Sequence, residues 1–261
     1  MVNFIGITSG NGGMGKSSVA CNIAYGLCRE GKRVLLIESS FGIRSYDAIL
    51  GIKSETFFSF SDYCSSQAAL SDIITKPDDE HLPHFIAGGS VHPSGDIAKA
   101  LSNMKQAFSK EYDYIVSDVS PENAEMFSAF LKNCDSFLIL TDASFISVRN
   151  SSYLADLIRK NSKAKPNLVL NKVKIDETDN SSAIEDIIDE TLCQLLGIIP
   201  YDEYFSRSVE SGEPIYMYNT CSGRAMENIC KRLLGADIPD FEKGASGGLF
   251  KKEKYVLKQF I

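Results

Sequence analysis

The sequence has no Cys-x-x-Cys pair, no Cys/His ligand pattern, no long apolar run and no excess of basic residues. Each absence excludes a class of function. Its seven cysteines are scattered and odd in number, which argues against a paired-cysteine metal or redox site. They are expected to be small buried residues in a reducing cytosol. No apolar stretch approaches the ~18 residues that cross a bilayer. Met1-Val2-Asn3 leads straight into a strand-like run, where a signal peptide would otherwise stand. The net charge of −7 argues against a nonspecific nucleic-acid binder, because that role needs a basic surface. The charge is uneven. After Gly248 come Lys251, Lys252, Lys254 and Lys258 against Glu253 alone, which leaves −10 for the rest.

What is present reads as a soluble α/β protein. The 261 residues fit one large domain, since no linker interrupts the first 241. A strand-like run, Val2 to Thr8, ends in a glycine cluster, and Ser17 to Arg29 continues with helical spacing. Gly31 stops that helix and Arg33 to Ile37 forms the next apolar run. Tyr114 to Val116, Ser136 to Leu140, Asn167 to Leu170 and Gly197 to Ile199 are further strand-type runs. Between them lie helical stretches at Ile97 to Phe108, Val148 to Lys160 and Ile184 to Leu196. Uninterrupted apolar strands separated by helices predict a doubly wound, mostly parallel sheet with helices on both faces. Ligands of such sheets bind at the carboxyl ends of the strands. Lys174 to Ser182 reads as a polar loop, residues 242–248 as a flexible linker and residues 249–261 as a separate tail.

The segment Gly10-Asn11-Gly12-Gly13-Met14-Gly15-Lys16-Ser17 fits the phosphate-loop pattern G-x-x-x-x-G-K-[ST]. Its glycines let backbone N–H groups turn inward around phosphate oxygens, and the following helix N-terminus adds partial positive charge. Lys16 is placed to reach the β- and γ-phosphates and the Ser17 hydroxyl to ligate Mg²⁺; Ser18 continues the loop into the helix. The pattern follows a strand and opens a helix, as its chemistry requires.

Ser9 to Ser18 (SGNGGMGKSS) resembles the deviant Walker A loop of the MinD/ParA ATPases, whose mark is K-G-G-x-G-K-[ST]. The resemblance continues in order through GKRVLLIESSFGIRSYDAILG (Gly31–Gly51) and DYIVSDVSP (Asp113–Pro121). These look like the family's second strand with its first switch, and its Walker B strand with its second switch. TDASFISVRNSS (Thr141–Ser152), LVLNKV (Leu168–Val173), GIIPYDEYFSRSVESGEPI (Gly197–Ile215) and GRAMENICKRLLG (Gly223–Gly235) also match. The resemblance implies ATP and Mg²⁺ as cofactors, a homodimer that sandwiches two nucleotides, and a regulatory protein partner. It also implies a cytoplasmic protein, peripheral on the inner face of the plasma membrane, that positions division or other surface machinery. Asp118, at the end of an apolar strand, suits a carboxylate holding Mg²⁺ through water, or else a helix cap. Asn171 resembles the family's adenine-reading amide, with Lys172 beside it, although an Asn after a strand also serves as a turn residue.

Three departures from the family fall on the chemistry. The signature lysine that reaches the partner's nucleotide is Asn11, a neutral donor contributing roughly half as much as a charged one. The aspartates of the second strand are Glu38 and Ser40, and serine has no charge with which to orient a water. Glu38 either supplies a carboxylate from a shifted position or assists Mg²⁺. In the second switch, Asp118-Val119-Ser120-Pro121-Glu122-Asn123, the proline sits one residue late and the usual glycine is missing. The expectation is nucleotide binding with slow or absent hydrolysis. The alternative is a nonhydrolysing scaffold or polar landmark of the pilus-assembly type. In the tail, Leu249, Phe250, Val256, Leu257, Phe260 and Ile261 gather on one side of a helix with lysines largely opposite. Such a segment suits lying in a membrane surface, or docking on the body or a partner helix.

Overall fold

The computed structural model describes residues 2–42, 45–52, 56–174 and 181–238, and of 181–183 the backbone alone. The linker 242–248, the tail 249–261 and most of the polar loop before Ser182 lie outside the described residues. The first strand, β1 (Asn3–Ser9), is buried on both faces and passes through the glycine loop into α1 (Lys16–Arg29). Then come β2 (Val34–Ile37), two short helices α2 (Tyr46–Leu50) and α3 (Phe60–Cys64), and the edge strands β3 (Ile74–Thr75) and β4 (His84–Ile86). The second half alternates regularly: α4 (Ile97–Ala107), β5 (Tyr114–Asp118), α5 (Ala124–Asn133), β6 (Ser136–Thr141), α6 (Phe145–Asn161), β7 (Lys165–Val173), α7 (Ser181–Thr191) and β8 (Gln194–Pro200). The helices α8 (Glu203–Ser211) and α9 (Cys221–Leu233) follow.

The eight strands form one sheet in the order β3-β4-β2-β5-β1-β6-β7-β8. Only β3 runs antiparallel to its neighbour. β1 lies between β5 and β6, with Ile5 opposite both Val116 and Ser136. Because side chains alternate across a strand, each strand feeds two cores. Phe4, Leu35, Ile37, Phe137 and Ile139 pack toward α4 to α7. Ile5, Ile7, Leu36, Leu138 and Leu140 pack toward α1, α2 and α9. The doubly wound, mostly parallel architecture expected from the apolar runs is therefore the one observed. Among the described residues no helix is long and apolar enough to cross a membrane.

The boundaries around α7 depart most from the sequence reading: α7 begins at Ser181, so Ser181 and Ser182 belong to a helix and not to the polar loop. The helix expected to reach Leu196 ends at Thr191, and β8 begins at Gln194. Leu192 takes a left-handed φ of 51°, which stops the helix, and Leu195 and Leu196 then belong to the sheet core. Six cysteines are buried as expected, whereas Cys221 is exposed on the first turn of α9.

Candidate functional site

The carboxyl ends of the central strands converge on the loop between β1 and α1. Gly15 forms the N-terminal boundary of α1 with a φ of 82°, a conformation only glycine adopts without strain, and no side chain caps the helix. The first-turn N–H groups thus face outward for an anion. Side chains at Gly12 or Gly13 would meet none of the described residues within 4 Å, so this stretch of backbone is open toward them. The Lys16 ammonium rests against the Ser9 hydroxyl at 3.3 Å.

Asp118 ends β5 beside this loop. Its backbone is fully engaged: the N–H donates to the Tyr46 hydroxyl at 3.1 Å, and the carbonyl accepts from Ser39 Oγ. Its carboxylate Oδ2 accepts from Ser17 Oγ at 2.6 Å, while Oδ1 is buried without a partner among the described residues. Asp118 caps no helix; Asn123 caps α5 through its own side chain. A buried, unpaired carboxylate oxygen next to a serine hydroxyl is a hard-oxygen donor set, and it fits Mg²⁺ held through water. A cavity of about 390 Å³ opens over these groups, lined by Lys16, Ser17, Ser40, Asp118, Glu122 and Met126 among others.

Asn171 and Lys172, at the end of β7, grip the loop from the other side. Asn171 Nδ2 donates to the Met14 carbonyl at 2.8 Å, and Lys172 Nζ donates to the Gly13 carbonyl at 2.8 Å. Lys172 itself has a φ of 59°, and its N–H closes onto Asn171 Oδ1 at 2.9 Å. Among the described residues, Asn171 keeps one N–H and one lone pair unused.

The substituted positions have definite partners. Asn11 is clasped by α6: its amide donates to Ser147 Oγ at 2.7 Å and its carbonyl accepts from Asn150 at 2.5 Å. Glu38 is fully buried, and Oε1 accepts from the Ser45 N–H at 2.7 Å and the Ser45 hydroxyl at 3.0 Å. Its other oxygen accepts from the Gly88 N–H at 3.3 Å. Burial pushes the Glu38 carboxyl above the usual range, although these hydrogen bonds pull the other way. Glu38 lines no part of the cavity over Lys16, whereas the exposed Ser40 does. Tyr46, Ser39, Gly88, Ser147 and Asn150 escaped the sequence reading, because each joins the site only through the tertiary fold.

A strand, a glycine loop with Lys-Ser at a helix N-terminus, and a strand-end aspartate on that serine define a P-loop nucleotide-binding protein. Residues 5–215 match the model of the CobQ/CobB/MinD/ParA nucleotide binding domain, and the chain belongs to that family. It is 28% identical to the septum site-determining protein MinD of Helicobacter pylori, over 98% of this chain and all of that one. It is equally 28% identical to MinD of Synechocystis, with 92% of each covered. The MinC:MinD cell division complex of Aquifex aeolicus contains a chain of the same fold, with a TM-score of 0.81 and 27% identity, covering 93% of this chain and 99% of that one.

Proposed function

We propose that this protein binds ATP with Mg²⁺, pairs with a second copy across the nucleotides, and positions division or other cell-surface machinery from the inner membrane face. The observation that carries nucleotide binding is the Ser17–Asp118 contact, with its orphaned carboxylate oxygen, under a glycine loop that is open toward the described residues. In this reading the loop N–H groups and Lys16 hold the phosphates, while Ser17 and Asp118 hold Mg²⁺, which would neutralise phosphate charge. Asn171 faces the base. Full-length similarity to MinD proteins supports the positioning role, and the tail 249–261 would supply the membrane contact.

Hydrolysis is slow in this reading. Asn11 is neutral and clasped by α6, Ser40 bears no charge, and the Glu38 carboxylate is occupied by Ser45 and Gly88. No anionic group from β2 is thus free to orient a water, and losing one transition-state contact commonly costs about 10²- to 10³-fold. Steady-state phosphate release from wild type, Glu38→Gln and the double variant Asn11→Lys/Ser40→Asp tests this. Turnover should be low in wild type and raised only in the double variant. Robust wild-type turnover that Glu38→Gln abolishes would sink it. The same commitment of Glu38 favours a second reading, a scaffold that keeps its nucleotide.

A further inference from the structure

We propose that Glu122 is the general base for the slow hydrolysis of the nucleotide, an assignment that rests on the nucleotide-binding reading above. The cavity of about 390 Å³ is lined by Lys16 and Ser17 together with residues that follow β2 and β5. Lys16 of a phosphate loop serves the β- and γ-phosphates, so the terminal phosphate and the water that attacks it belong in this cavity. Among the residues that line it, three carry charge: Lys16, Asp118 and Glu122. Asp118 is turned to Ser17 at 2.6 Å and is committed to the metal in that reading. The Ser39 hydroxyl donates to the Asp118 carbonyl, and Ser40 and Ser120 are neutral hydroxyls. Asn123 is engaged at both ends of its amide, accepting from the Met126 N–H at 3.0 Å and donating to His92 Nε2 at 2.6 Å. Glu122 is exposed, and among the described residues its carboxylate holds no hydrogen bond or ion pair. It is the carboxylate left there to accept a proton.

The loop that carries Glu122 is pinned at both ends. Val119 is buried, and its N–H donates to the Ile7 carbonyl at 2.7 Å, which extends the pairing of β1 with β5. Asn123 caps α5, and its amide is held by His92 from the loop after β4. The His92 ring in turn packs on Phe41, 5.3 Å between centroids, and Phe41 also lines the cavity. Between the two pins lie only Ser120, Pro121 and Glu122, and the proline ring fixes the φ of the middle residue. The backbone of Glu122 is thereby held at the cavity while its side chain stays free. A chain whose β2 offers no free carboxylate thus has one on the loop after β5. In the step assigned to it, the water oxygen bonds to the γ-phosphorus as the bond from that phosphorus to the β–γ bridging oxygen breaks. The electron pair of the broken bond leaves with ADP, and the proton of the water passes to the Glu122 carboxylate and then to solvent.

Single-turnover conversion of Mg²⁺-ATP by the full-length protein, with calorimetry on Mg²⁺-ATP and Mg²⁺-ADP, tests the assignment. Glu122→Gln should slow conversion by about 10²-fold or more. It should also tighten Mg²⁺-ATP by about fivefold, because a charge facing the γ-phosphate is removed, and leave Mg²⁺-ADP affinity unchanged. Glu122→Asp, which keeps the carboxylate, should recover most of the rate. In the Asn11→Lys/Ser40→Asp background, where β2 supplies a carboxylate, adding Glu122→Gln should cost little. A wild-type rate in Glu122→Gln, or equal weakening of both nucleotides by it, would overturn the assignment. So would a wild-type protein that binds ATP and never converts it, a result that leaves nucleotide binding standing. Failure of the wild-type protein to bind either nucleotide would overturn the nucleotide reading, and this one with it.

Discussion

Asp118 divides its functional groups between fold and site. Its N–H and carbonyl are bound by Tyr46 and Ser39, so the carboxylate is aimed by the backbone and only the side chain remains for a ligand. Lys16 shows the complementary arrangement: among the described residues its one hydrogen bond is to Ser9 Oγ at 3.3 Å, too long to hold the ammonium firmly. A triphosphate should displace that contact. Lys16→Ala should lower ATP affinity at least tenfold, about 1.4 kcal/mol, with unchanged thermal stability in the absence of nucleotide. Calorimetry with ATP and a melting curve check both halves. An unaffected affinity would mean that the loop does not hold the phosphates. The phosphate loop was legible in the sequence because its chemistry is local, with eight consecutive residues between a strand and a helix. Glu38 was not. Its partners lie at Ser45, Tyr46 and Gly88, and Gly88 reaches it only because β4 pairs with β2. Asn11 was legible as a substitution, but its clasp on α6 depends on residues far along the chain.

Between elements, the decisive contact is the one holding the segment after β2 against the exit of β4. A methyl group on Gly88 would collide with the Ser40 carbonyl oxygen. The Gly42 N–H donates to the Gly89 carbonyl at 3.0 Å, so two backbones run side by side there. Gly88→Ala should cost about 1–3 kcal/mol in urea unfolding, since neither backbone can move aside freely, and should displace Ser40 from the cavity. At the opposite end of the sheet, Arg33 forks onto Asp113 at 2.9 Å and onto the Lys110 carbonyl at 3.0 Å. This contact joins the start of β2 to the turn entering β5. The Arg33 guanidinium holds the Asp113 carboxyl down at about 2. A depressed carboxylate adds stability above its unfolded value and loses it as pH falls toward the folded one. Asp113→Asn should therefore flatten the acid limb of stability between about pH 4 and pH 2. Because the pair is largely exposed, its loss at neutral pH should stay under about 1 kcal/mol. Helices α1, α4, α6 and α7 were readable from helical spacing and the central strands from apolar runs, whereas β3, β4, α2, α3, α5, α8 and α9 were not. A two- or three-residue strand carries no period, and what makes it a strand is its neighbour.

For the whole molecule, the charge asymmetry separates an acidic body from a lysine-bearing tail. If the tail is the membrane contact, a chain ending at Gly248 should no longer sediment with anionic liposomes, and its ATP affinity should equal that of the full chain. Added salt should weaken sedimentation of the full chain moderately. Sedimentation of the shortened chain would remove the tail from the proposal. The placement of β1 has a consequence for how the chain is made. β1 emerges from the ribosome first, yet both of its neighbours, β5 and β6, are synthesised about a hundred residues later. At roughly 5–20 residues per second, an apolar strand and the glycine loop behind it wait on the order of 5–20 seconds without a sheet to join. The nucleotide site is thus one of the last parts of the protein to exist, and a nascent chain needs its apolar first strand shielded until the second half arrives.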